Sequence, residues 1–123
     1  MPQTWLNKFR VAIAGLLWAI RDQNSFHVHG IVSVLVLLTA AQLRLQFWQW
    51  TTLVLAIGLV FTAELLNTAI EQLVAVLHPN HDLRIGRVLD IAAAAVLLAT
   101  LTAVAVGALV LGPSLYDFLA TRP

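Results

Sequence analysis

Ionisable residues in this chain are clustered. They stand at Lys8, Arg10, Arg21, Asp22, His27 and His29, then at Arg44, Glu64 and Glu71. They resume at His78, His81, Asp82, Arg84, Arg87 and Asp90, with Asp117 and Arg122 near the end. Three uncharged apolar stretches lie between them, at 30–43, 45–63 and 91–116. A hydrocarbon core of about 30 Å takes about 20 helical residues. The second and third stretches meet that length. The first is short, and a re-entrant or interfacial segment is its structural alternative. Extended to 26–48, with Arg44 snorkelling to the interface, it is long enough to span. The pattern predicts transmembrane helices over 26–48, 49–77 and 88–112, with a loop over 78–87 whose Pro79 stops the second helix.

The N-terminal segment follows a different period. Leu6, Phe9, Ile13, Leu16, Leu17 and Ile20 recur at three- and four-residue spacing and share one helical face. Lys8, Arg10 and Arg21 lie largely off that face. A basic amphipathic helix of this kind, over 5–22, lies in the headgroup plane. It lacks the continuous apolar stretch and small-residue cleavage site of a signal peptide. A plain membrane anchor accounts for it as well as any functional role does.

Composition agrees with the pattern. The chain has 123 residues, of which 60% are hydrophobic and 11% charged, where a soluble domain carries roughly a quarter charged. Its mean hydropathy is +0.88. The expected class is an all-α integral membrane protein forming one membrane domain over 1–123, with three transmembrane helices and a surface helix. The net charge of +1 leaves no excess of basic residues for binding nucleic acid. With no cysteine there is no thiolate nucleophile or Cys-ligated metal. Basic flanks set orientation. With the N-terminus cytoplasmic, Lys8, Arg10, Arg21, Arg84 and Arg87 lie inside and only Arg44 and Arg122 outside.

The second helix carries the candidate chemistry. Glu64 and Glu71 are seven residues apart, so about 100° per step brings them back within roughly 20° of each other. Asn67 and Thr68 fall between them on the same face. This polar stripe must meet other helices, a cation or water, because facing lipid costs several kcal/mol. Interhelical hydrogen bonding accounts for Asn67 and Thr68. Two carboxylates ask for more. About 10 Å apart along the helix, they suit separate tasks, one as a base and one holding a divalent cation. Asp90, the only ionisable residue in the third helix, fits equally a helix N-terminal charge.

The string from Ala63 to Glu71 (AELLNTAIE) resembles the signature of the small bacterial diacylglycerol kinase family, which includes the undecaprenol kinases. The resemblance runs ungapped from about Phe9 to Leu98. It takes in Phe9-Arg10, Gly15, Ala19-Ile20, Phe26 and His29, His78-Pro79, and the run from Asp90 to Leu98. It implies a homotrimer with intersubunit sites in the bacterial inner (cytoplasmic) membrane. The implied activity is transfer of the γ-phosphoryl group of ATP, with Mg2+, to a lipid hydroxyl at the membrane surface. By the same resemblance Glu64 is the general base, Glu71 holds magnesium, and Asn67, with Thr68, supports the site. Asp90 and the loop residues Asn80, His81 and Asp82 lie along the nucleotide, while Phe26 and His29 border the lipid.

Two positions depart from the family pattern. Gln23 stands where a second acidic magnesium ligand is usual, and its carbonyl oxygen can ligate without the charge. Leu89 stands where a phosphate-directed lysine is usual. Arg87 or Arg21 is the available substitute. Leu17 also replaces a residue that is often basic in the family's Gram-positive branch. Three readings stay open on sequence: a lipid kinase with an altered nucleotide site, a catalytically silent relative that binds lipid or a membrane partner, and a relative using another lipid or donor.

Overall fold

The computed structural model describes residues 4–121, and all of its regular structure is helical. Arg122, counted above among the outward basic residues, lies outside the described residues. Four helices follow in order: α1 (Trp5–Asp22), α2 (Asn24–Gln42), α3 (Phe47–Leu77) and α4 (Leu83–Ala120). The last three are long and apolar enough to cross a membrane.

Local chemistry sets each boundary. Thr4 caps α1, its hydroxyl accepting from the Asn7 amide at 3.3 Å, and Arg21 in the last turn complements the helix dipole. Gln23 is extended and separates α1 from α2 by a single residue. His27 Nε2 lies 2.7 Å from the Ile20 carbonyl, one of the oxygens that the end of α1 leaves without a helical partner. That contact pins the corner.

The first span stops six residues short of the expected 48. Arg44 adopts φ 53°, a left-handed conformation that no α-helix continues through. Gln49 Oε1 then accepts from the Gln46 amide at 2.8 Å as α3 opens. At the other end the expected ten-residue loop is shorter, because Asp82 accepts from the Arg84 amide at 2.8 Å and starts α4 at Leu83. α4 also continues past the expected 112, through Pro113 to Ala120. Proline removes the donor that would meet the Leu109 carbonyl. Gln49 of α3 supports this segment: its Nε2 donates to Ser114 Oγ at 3.2 Å and to the Val110 carbonyl at 3.4 Å.

α3 and α4 form the principal pair, α2 packs on α3, and α1 touches both α2 and α3. A small cluster of Ala40, Leu53 and Val110, flanked by Trp50 and Val106, closes the bundle near the α2–α3 turn. Among the described residues only nine apolar side chains are buried, while long runs of Leu, Val and Ile face outward. So thin a core cannot hold a domain in water. The apolar exterior is what a bilayer requires. Threonines within the spans satisfy their hydroxyls on carbonyls of the preceding turn, as Thr39 does on Leu35 and Thr102 on Leu98.

Candidate active site

The polar stripe of α3 points inward. Glu64 is 4% exposed, Thr68 4% and Asn67 8%, and these are the buried polar side chains of the described residues. The remaining apolar positions of α3 alternate between protein and lipid with the helical period, so one polar face is buried while Leu55, Leu66 and Leu73 look outward.

Depth along α3 separates the two glutamates. At 1.5 Å per residue, Glu64 stands about 26 Å of helix from Phe47 and Glu71 about 36 Å. With the hydrocarbon core beginning near Phe47, Glu64 lies just inside its far boundary and Glu71 beyond it. Their surroundings differ accordingly. Glu64 Oε2 is 3.5 Å from Nε2 of His29 on α2. Phe61, one turn back on α3, meets the His29 ring edge-on at 6.4 Å and the Phe26 ring at 5.7 Å. Phe26 is therefore buried between helices, and His29 is half-buried against the carboxylate.

Glu71 is exposed, and Asn67 Nδ2 donates to its Oε1 at 2.9 Å. The other end of that amide, Asn67 Oδ1, is buried without a partner. Glu71, His78, Asn80, His81, Asp82 and Leu89 line one open cavity of about 330 Å³ at the α3–α4 turn. The structure thus gathers Glu71 and the predicted loop residues into one place. Leu89 lines the same place with an apolar side chain. Asp82 is engaged as the α4 cap and lies 4.0 Å from His78 and 3.8 Å from Arg84 Nε. Asp90 and Arg87 are exposed and lie outside this cavity's lining, and Thr68 lines a separate cavity between α1 and α3.

Among the described residues no three His, Asp or Glu side chains converge to cage a metal. The donors present are still of the right kind for magnesium. Glu71 offers a carboxylate, and Asn67 Oδ1 is an unused hard oxygen. Magnesium is commonly held by one or two carboxylates, with substrate phosphates and water completing its shell. Gln23, at the α1–α2 corner, makes no hydrogen bond to Glu71. One carboxylate of the stripe is thus buried within the span and the other is exposed beyond it.

A feature that sequence reasoning missed is the pairing of His29 with Glu64. The signal was a buried acid without a basic partner on its own helix. Counting back from the α2–α3 turn places His29 at a similar depth on the neighbouring helix.

A family model described as prokaryotic diacylglycerol kinase matches residues 10–111. A diacylglycerol kinase of Synechocystis sp. is 39% identical over 117 residues, which cover 93% of this chain and 66% of that protein. The undecaprenol kinase of Bacillus subtilis is 31% identical over 101 residues, covering 82% of each. The chain therefore spans just under two thirds of the Synechocystis protein and most of the Bacillus one.

Proposed function

The chain belongs to the prokaryotic diacylglycerol kinase family, and from that premise we propose that it transfers the γ-phosphoryl group of ATP, with Mg2+, to the hydroxyl of a membrane lipid alcohol, diacylglycerol or undecaprenol. The observation that carries this reading is the depth offset between buried Glu64 and exposed Glu71 on one helix. A lipid hydroxyl sits at the interface and ATP in water, so the two reactants meet only where a protein provides for both.

In this reading the Glu64 carboxylate takes the proton of the lipid hydroxyl. The oxygen so released forms a bond to the γ-phosphorus as the bond from that phosphorus to the leaving ADP oxygen breaks. Phosphoryl transfer depends mainly on positioning and charge neutralisation, so a modest set of side chains suffices. Glu71, oriented by Asn67, is the residue that holds magnesium, with Gln23 as a neutral second donor. When bound, the ion neutralises charge on the phosphates. Asn80, His81 and Asp82 line the nucleotide's cavity, whereas Asp90 and Arg87 stand outside its lining.

The membrane arrangement completes the proposal. α1 lies in the headgroup plane on the cytoplasmic side of the bacterial inner membrane, where its exposed Leu6, Phe9 and Ile13 enter the lipid. Lys8 sits 4.7 Å over the Trp5 ring, a cation–aromatic pair suited to that interface. The chain assembles as a homotrimer whose subunits cover one another's apolar grooves. The test is transfer of label from γ-labelled ATP in magnesium-containing bicelles, with diacylglycerol and undecaprenol offered separately and Glu64→Gln as the blank. Labelled lipid above the blank is expected. No label on either lipid from folded protein would overturn the proposal.

A further inference from the structure

The His29–Glu64 contact ties α2 to the buried end of the polar stripe. Among the described residues, His29 is the one basic group within 4.0 Å of the Glu64 carboxylate. On α3 the next acid is Glu71, two turns away and bonded to Asn67. The α1 side of the stripe presents Gly15, Ala19 and other uncharged residues, and the α4 side presents Ile91, Ala92 and Ala95. His27, two residues from His29, is taken up by the Ile20 carbonyl. A carboxylate at this depth needs a partner, and one alone is on offer.

The surroundings of His29 hold it in place. Phe61 meets its ring edge-on, and Phe61 in turn contacts Phe26, one turn before His29 on α2. Two aromatic rings thereby fix the height of α2 against α3 at the level of Glu64. The separation of 3.5 Å is an ion-pair distance longer than a good hydrogen bond. Catalytic contacts in ligand-free sites are often long and tighten in the substrate complex.

Resting on the assignment of Glu64 as base, we propose that His29 is its positioning residue: Nε2–H, directed at the carboxylate, donates to it and fixes its aim toward the lipid hydroxyl. His29 itself need not touch the lipid. The hydrogen bond it supplies matters most when the lipid is seated, so its loss falls on turnover more than on nucleotide affinity.

Two substitutions separate this role from packing. His29→Phe keeps a ring against Phe61 and removes the donor, whereas His29→Gln sacrifices the ring and keeps an N–H. A positioning role predicts that His29→Phe lowers kcat about ten- to hundredfold with the KM for ATP unchanged, and that His29→Gln retains more activity. Imidazole added to His29→Ala should recover part of the rate. The opposite order, Phe above Gln, would reduce His29 to a packing residue and overturn the proposal. If Glu64→Gln were as active as the parent protein, the base assignment would fail instead. Should the parent protein label neither lipid, the pairing is still measurable by a double-mutant cycle of His29→Phe and Glu64→Gln in thermal unfolding. Non-additive effects are expected, and additive ones would dismiss the pairing.

Discussion

Asn67→Leu should separate stability from activity. The amide has two ends with opposite energetics. Its Nδ2 donates to the Glu71 carboxylate at 2.9 Å, a charge-assisted bond of about 1.5–3 kcal/mol. Its Oδ1 is buried without a partner, which costs about 1–3 kcal/mol. Leucine, which branches at Cγ in the same way, removes both. The two terms nearly cancel, so the stability change should stay within about 1.5 kcal/mol in either direction. The activity change does not cancel, because Glu71 loses the group that orients it. We expect kcat/KM to fall about ten- to hundredfold, with more magnesium needed for half-maximal rate. The assay pairs reversible unfolding in mixed micelles with lipid phosphorylation over a magnesium series. A variant that unfolds far more readily but keeps its turnover per folded molecule would refute this reasoning and make Asn67 interhelical glue.

Three further outcomes follow from the same geometry. Glu64→Gln should lower lipid phosphorylation by about two to four orders of magnitude while leaving the gel-filtration profile in detergent unchanged; dissociation with normal turnover would make the stripe structural. Leu89→Lys introduces a cation into the cavity shared by Glu71 and the 78–82 loop, and should lower the KM for ATP by about tenfold or more. An unchanged KM in nucleotide titrations would remove the nucleotide from that cavity. Arg44→Gly relieves a left-handed backbone at φ 53° and should raise unfolding stability by about 0.5–1 kcal/mol, so a lower unfolding midpoint would show that the arginine side chain contributes more than its backbone costs.

What was legible in the sequence is what desolvation makes costly. Charges are expelled from spans, so the positions of thirteen Asp, Glu, Lys and Arg residues outlined three helices. Glu64, Asn67 and Thr68 stood out because polar groups seldom enter such a helix without purpose, and the structure buries all three. The ends of the spans were less visible. Nothing in the run around Leu43 and Arg44 announces a left-handed turn, since neither glycine nor proline marks it. Asp82 before Leu83 was a readable cap that the wider loop concealed. Pro113 reads as a stop, yet the helix runs through it beside a glutamine more than sixty positions away. The His29–Glu64 pair belongs to the same class, since the register between neighbouring helices depends on a turn whose geometry the sequence did not display.

The unbroken helix joining Glu64 to Glu71 makes this region intolerant of insertion in a way that composition does not reveal. Exchanging one apolar residue for another between them alters a contact. Adding or deleting a single residue turns everything beyond it by about 100° and slides it about 1.5 Å along the axis. Such a change would swing the outer carboxylate off the helical face that it shares with the inner one. The interval of seven works as a ruler, free to vary in its letters but not in its length.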